Sequence, residues 1–176
     1  MGKLDGKVAL VSGSGRGIGR AIAEKLARAG AKVVVNDLDP DPANETVAAI
    51  EPAGGAAVAC AGSVTEEGFA ERFVGTAVDA FGGLDIIVNN AGYTWDSVIQ
   101  KMSDDQWDAI LDVHLKAPFR ILRAAQPIIS AATKKEKAAG IVVPCRKVVN
   151  ISSIAGTGGN AGQANYSSGK AGVIGL

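Results

Sequence analysis

Five short apolar runs recur along this 176-residue chain, "KVALVSG", "KVVVND", "AAVACAG", "LDIIVNN" and "KVVNISS", with stretches of helical periodicity between them. Each run is nearly all apolar, as a strand buried on both faces must be, and parallel strands need a helical crossover to connect them. Those crossovers are present. "GRAIAEKLARAG" sets Ile18, Ile22 and Leu26 on one stripe, "PANETVAAIEPAG" and "EEGFAERFVGTAVDAFGG" follow, and a long segment runs from Ser103 to about Ala132. Helix punctuation agrees: Gly30 and Gly82 follow helical stretches, Pro42 suits a first turn, and Ser103 with Gln106 makes an S-x-x-Q capping box. The alternation predicts an α/β fold with a doubly wound parallel sheet. Only "AATKKEKAAGIVVPCRK" breaks the rhythm, and its charge predicts an exposed loop or an extended helix end.

Eighteen basic residues balance 18 acidic ones, so no net field draws the chain to nucleic acid or to a membrane surface. No apolar stretch approaches the roughly 18 residues that span a bilayer, and "MGKLDGKVALVSG" lacks the pattern of a secretory leader, so a cytoplasmic location is expected. Cys60 and Cys145 lie far apart without a C-x-x-C pattern and are expected as reduced thiols, with no metal role. The 23 glycines follow no G-X-Y period and must therefore serve specific turns.

One such turn is "LVSGSGRGIGRAIA", where a strand runs into Gly13, Gly17 and Gly19 and then into a helix. A helix N-terminus offers free N–H groups to an anion, and glycine permits both the tight turn and close backbone approach. The spacing is G-x-x-x-G-x-G, which also suits a purely structural turn; its strand-turn-helix setting favours a dinucleotide pyrophosphate, with Arg16 and Ile18 beside it. About twenty residues on, Asp37 closes the second run, where a carboxylate accepts hydrogen bonds from the adenosine ribose hydroxyls and repels a 2'-phosphate. That points to NAD(H), although Arg16 could reach a phosphate and NADP(H) stays open. "NNAG", with Asn90, Ala91 and Gly92, ends the fourth run, where amides can cross-link strands and glycine can let a cofactor approach. Residues 1–176 thus read as one Rossmann-type dinucleotide-binding domain.

Ser153 follows the fifth run, Tyr166 lies in "NAGQANYSSGK", and Lys170 stands one helical turn further on. Moving a hydride between a nicotinamide and a carbinol carbon requires exchange of the hydroxyl proton, for which an unperturbed tyrosine of pKa about 10 is a poor base. A neighbouring ammonium lowers that value, Lys170 can also bond the nicotinamide ribose, and a serine hydroxyl can hold the substrate oxygen.

With these groups in this order, the chain resembles the short-chain dehydrogenase/reductase family over essentially its whole length. "GNAGQANYSSGKAG" is similar to 3-oxoacyl-acyl-carrier-protein reductases, and "VVVNDL" and "VHLKAPF" to the hydroxyacyl-CoA dehydrogenase part of multifunctional β-oxidation enzymes. The resemblance implies a small-molecule 3-oxoacyl or 3-hydroxyacyl thioester substrate, with Ser153, Tyr166 and Lys170 catalytic. It departs at His114, which replaces the asparagine of the family's tetrad: either a relay member titrating near pH 6.5 or a helix histidine with its bonds satisfied. Gly62-Ser63-Val64 stands where the family carries an acid for the adenine amine, leaving the Ser63 hydroxyl as a partial substitute beside Val64. The family pattern also continues beyond Lys170 into further strands and a substrate-covering loop, so the resemblance implies a C-terminally incomplete domain with an uncovered sheet edge. A second reading is therefore a truncated dinucleotide-binding or association module without turnover. Relatives pair through the helices bearing Tyr166 and starting at Ser103, implying a homo-oligomer joined through small residues such as Ser167, Ser168, Gly169 and Ala171. Trp95 and Trp107 are expected in a core or interface rather than as substrate stackers.

Overall fold

The computed structural model describes residues 2–176. In chain order the elements are β1 (Val8–Val11), α1 (Gly17–Arg28), β2 (Lys32–Val35), α2 (Pro40–Ile50), β3 (Ala56–Ala59), α3 (Phe69–Phe81), β4 (Ile86–Asn89), α4 (Asp104–Leu111), α5 (Ala117–Ala138), β5 (Lys147–Asn150), α6 (Ile154–Gly158) and α7 (Ala164–Gly175). The five strands form one parallel sheet in the order β3-β2-β1-β4-β5, the doubly wound arrangement expected from the sequence. All five apolar runs supply a strand.

Alternate residues of β1 feed two cores, because successive side chains leave opposite faces of a strand. Val8 and Leu10 join Phe69, Phe73, Val113 and Ile121 under α3 and α5, whereas Ala9 and Val11 join Ala23, Ala27, Ala43 and Ile50 under α1 and α2. Val11 pairs with both Val35 and Val88, so β2, β1 and β4 end level and their following loops emerge side by side. The crevice at these strand ends is where a doubly wound sheet holds ligands.

β5 has the apolar composition of a strand buried on both faces but is the uncovered sheet edge that the resemblance implies. It forms one edge of the sheet, and Val148 and Val149 remain 49% and 43% exposed. An open groove of about 560 Å³ lies over β5 and α5, lined by residues including Leu122, Ile129 and Val148.

The segment from Ser103 is longer than expected and is not one α-helix. The capping box is present, with Gln106 N–H donating to Ser103 Oγ and Ser103 N–H to Gln106 Oε1. Between α4 and α5, residues Asp112–Lys116 form a π-helical stretch in which Ala117 N–H reaches back to Asp112 O. Pro118 accounts for it: proline has no N–H to give the His114 carbonyl one turn back, and its ring crowds that carbonyl, so the ladder widens locally.

The charged segment "AATKKEKAAGIVVPCRK" extends α5 to Ala138 and then runs as a loop into β5, and it does more than meet solvent. Glu136 on the last turns of α5 accepts two hydrogen bonds from Arg146, at 3.1 and 2.6 Å, and Arg146 Nε also lies 3.8 Å from Asp85 Oδ1 at the base of β4. Hydrogen bonding by Arg146 holds the Glu136 carboxyl below its ordinary value of 4.5. A carboxyl depressed by folding contributes stability that is whole above its unfolded value and is lost as pH falls through the folded one. Glu136→Gln is therefore expected to be less stable than wild type in urea at neutral pH, with the difference shrinking below about pH 4.5. A difference that grows on acidification would contradict this assignment.

Candidate active site and dinucleotide groove

At the strand ends lies a groove of about 650 Å³. Its lining includes every glycine-turn, second-strand and fourth-strand residue singled out from the sequence, namely Gly13, Arg16, Gly17, Ile18, Gly19, Asp37, Asn90, Ala91 and Gly92, together with Ser63 and Val64. Gly13 and Gly17 hold φ values of +60° and +52°, a region that side chains other than glycine rarely adopt. A Cβ on Gly13 would stand 2.7 Å from Ala91 Cα, and one on Gly19 would strike the Gly13 carbonyl. The turn is thereby pressed against β4, and the first N–H groups of α1 open on the groove without a side-chain cap from Arg16. These features fit an anion at the helix N-terminus and a nucleotide lying along the turn.

Buried side chains pin this turn. Asn36, 1% exposed, accepts from Gly13 N–H at 3.1 Å and turns its Nδ2 toward Cys60 O and Gly62 O, both at 3.0 Å, tying β1 to the ends of β2 and β3. Thr46 Oγ1 lies 3.1–3.2 Å from the carbonyls of Ser14, Gly15 and Pro42. Across the sheet, Ser12 Oγ accepts from the N–H groups of Asn90 and Ala91, and Asn90 Nδ2 donates to Ser12 O and Gly13 O. The Asn90 amide thus acts as a strand cross-link, as its position suggests, and so does Asn89, which donates to Asn150 Oδ1 at 2.8 Å. Ser63 Oγ lies 2.9 Å from Thr65 Oγ1 and accepts from Thr65 N–H, so that hydroxyl is already engaged in a local turn.

Ser153, Tyr166 and Lys170 lie outside the groove lining; α7, which carries Tyr166 and Lys170, is bonded to the segment that leads into Ser153. Three contacts join the end of β5 to α7: Asn150 Nδ2 donates to Val173 O, Lys170 Nζ makes a short bond to Ile151 O, and Ser152 Oγ donates to Lys170 O at 2.7 Å. Gly156 completes this approach, since a Cβ there would be 2.6 Å from Lys170 C. Ser153 Oγ accepts from Ala155 N–H and so caps α6, leaving its own proton free to donate. Lys170 Nζ lies 5.6 Å from the centre of the Tyr166 ring, and burial pushes its ammonium below the usual lysine value.

His114 connects the two halves. Its Nε2 lies 2.8 Å from Tyr93 O on the rim of the groove, and its ring meets Tyr166 edge to face with centroids 5.0 Å apart. A carbonyl only accepts, so Nε2 carries the proton, and the buried Nδ1 has no partner among the described residues. Desolvation, with the Lys170 charge adding to it against the Tyr93 bond, lowers the pKa of this imidazole to about 4. That value lies below the pH 6.5 expected for a relay histidine and leaves the ring neutral at physiological pH. The same ring explains Gly92, where an added Cβ would collide with the imidazole.

One further expectation is corrected. Gly169 is not free for an intermolecular contact, because a Cβ there would be 3.1 Å from His114 Cβ within the same chain. Of the core or interface positions expected for Trp95 and Trp107, the core is excluded at 48% and 38% exposure: one sits on the loop after β4 and the other on the outer side of α4, whose inner side buries Ile110. Asn165, by contrast, is fully buried and easily overlooked in "QANYSSGK". It donates to Trp95 O and Gln106 O and accepts from Tyr166 N–H, seating the first turn of α7 on α4 and the loop after β4. Asn36 and Thr46 carry no motif either; the only local hint is that short polar residues recur where strands and helices end.

A family model described as short chain dehydrogenase matches residues 7–176. Hydroxyacyl-CoA dehydrogenase ChsB1 of Mycobacterium tuberculosis is 44% identical over 178 residues, covering 98% of this chain and 55% of that protein. The 3-oxoacyl-acyl-carrier-protein reductase FabG of Vibrio cholerae is 40% identical over 173 residues, covering 98% of this chain and 65% of that one. The crystal structure of a short chain dehydrogenase from Mycobacterium avium superposes with a TM-score of 0.89 at 41% identity, covering 99% of this chain and 62% of that chain. The chain thus spans between half and two thirds of the length of these relatives.

Removing the Asn36 amide by Asn36→Ala would leave Gly13 N–H and two carbonyls without it, and the expected loss is about 2–4 kcal/mol in urea unfolding. For His114, proton NMR is expected to give a ring midpoint near pH 4. The unfolded chain takes up that proton near 6.5, so wild-type stability falls as pH drops from 6.5 toward 4, a component that His114→Gln lacks. A midpoint close to 6.5 would overturn the buried-neutral description.

Proposed function

The chain belongs to the short-chain dehydrogenase family, and from that premise we propose that residues 1–176 form the dinucleotide-binding and catalytic domain of an oxidoreductase interconverting 3-oxoacyl and 3-hydroxyacyl thioesters, with NAD(H) preferred over NADP(H). One observation carries the reading: Tyr166 and Lys170 neighbour each other on α7, which is bonded through Lys170 to the Ile151–Ser152 segment just before Ser153 at the end of β5. Two relatives, named for a hydroxyacyl-CoA and a 3-oxoacyl carrier-protein substrate, support the thioester class.

A nicotinamide dinucleotide, when bound, supplies or accepts the hydride. The chain does the rest. Ser153, whose hydroxyl proton is free, donates to the substrate oxygen and fixes its direction. Tyr166 gives that oxygen a proton in reduction and takes it in oxidation. Lys170, anchored on Ile151 O, holds a positive charge beside the Tyr166 ring and offers a donor to a ribose hydroxyl. His114, neutral and bonded to Tyr93 O, braces the tyrosine ring edge to face. Asp37 receives the adenosine ribose and disfavours a 2'-phosphate by like charge. The outer side of α7, with Ser168, Ala171 and Ile174 exposed, is the surface a homo-oligomer would use.

A second reading, a dinucleotide-binding module without turnover, is supported by the open side of β5, where an acyl chain and the valines would meet water. The two separate in one experiment: NADH oxidation with a short 3-oxoacyl thioester. The enzyme reading expects turnover that Tyr166→Phe lowers by about 10²–10⁴-fold with NADH affinity retained. Undiminished turnover in that variant would sink the assignment of Tyr166, and NADH binding without any turnover in wild type would favour the module.

A further inference from the structure

Arg16 is the only basic residue among those lining the groove, and it shares the adenosine end with Asp37 and Asp39. Arg16 Nη2 lies 3.3 Å from Asp39 Oδ2, and Asp39 N–H donates to Asp37 Oδ1 at 3.3 Å, so the turn after β2 places both carboxylates together beside the glycine turn. Asp39 is also the residue that opens α2. An aspartate there ordinarily turns its carboxylate onto the first amides of the helix, but Asp39 makes no such bond and gives its carboxylate to Arg16 instead. The helix does not account for this acid.

We propose that Asp39 is a specificity-determining residue for the dinucleotide, acting through Arg16: it occupies the one guanidinium that could receive a 2'-phosphate. The proposal rests on the reading of the groove as a dinucleotide site. A guanidinium and a phosphate make a strong, often bidentate pair, so a free Arg16 would counter the repulsion from Asp37 and admit NADPH. With Asp39 in place, a 2'-phosphate must break the Arg16 pair and then lie beside two carboxylates. Asp37 faces the ribose; Asp39 works one step further out, as a positioning residue. Both partners of the pair are largely exposed, at 69% and 60%, so it adds little to folding and can be removed without unfolding the chain.

The test is binding without thioester: NADH and NADPH titrated by nucleotide fluorescence into wild type, Asp39→Asn, Arg16→Ala and the double variant. Asparagine retains the ability to cap α2. Asp39→Asn is expected to raise the ratio of NADPH to NADH affinity about tenfold, the scale of one hydrogen bond between charged groups, and the rise should vanish when Arg16 is absent. No rise in the ratio would overturn the proposal. A rise of equal size in the Arg16→Ala background would also overturn it, because Asp39 would then act by its own charge. If neither nucleotide binds wild type, the dinucleotide reading itself fails and the proposal with it.

Discussion

Where a parallel sheet stops, its backbone groups lose their ladder partners at the place where a ligand must approach, and several of this structure's short polar side chains answer that constraint. Asn36 closes the ends of β1, β2 and β3; Ser12 and Asn90 close β1 against β4; Asn89 and Asn150 close β4 against β5. Asn36 and Ser12 are at most 2% exposed, so losing either would strand buried donors and acceptors. The loops that wall the groove are therefore held from within the protein, before any ligand contributes.

The second half of the site depends on a single imino acid. Pro118 opens the helical ladder into the π-helical stretch, which turns His114 inward between Tyr93 and Tyr166. The small residues of α7 make room for this: a Cβ on Gly169 would crowd His114, and one on Gly172 would crowd Leu115. Gly92, Gly169 and His114 thus form one packing unit whose consequence is the direction of the tyrosine ring. Burial in that unit keeps the imidazole neutral, with Nε2 donating to Tyr93 O and the ring braced against Tyr166.

Electrostatics is arranged unevenly across the site. At one end Lys170 sits buried with a carbonyl as its hydrogen-bond partner, so its charge is weakly screened and acts strongly on what lies beside it. At the other, Arg16, Asp37 and Asp39 stand at the groove rim in contact with solvent, where screening is strong and geometry matters more than net charge.

Much of this was readable from residues in order. The five apolar runs determined the strands, because a stretch buried on both faces has few alternatives, and the motifs from Gly13 to Lys170 each fell at a strand end or on a helix. The exposed edge at β5 was legible from the resemblance and not from the run itself, because apolar composition cannot tell an interior strand from an edge strand; only the neighbours decide. The π-helical stretch was missed although Pro118 signals it, and Asn36, Thr46 and Asn165 carry no local pattern because their partners lie 24 to 70 residues away or across a turn. The sequence by itself determined the order of elements and the chemical groups at hand, since periodicity and residue type act locally. The tertiary structure alone decided that His114 is neutral, that Gly169 is spent inside the chain and that Arg16 is paired with Asp39, since burial and pairing depend on which distant segments are packed together.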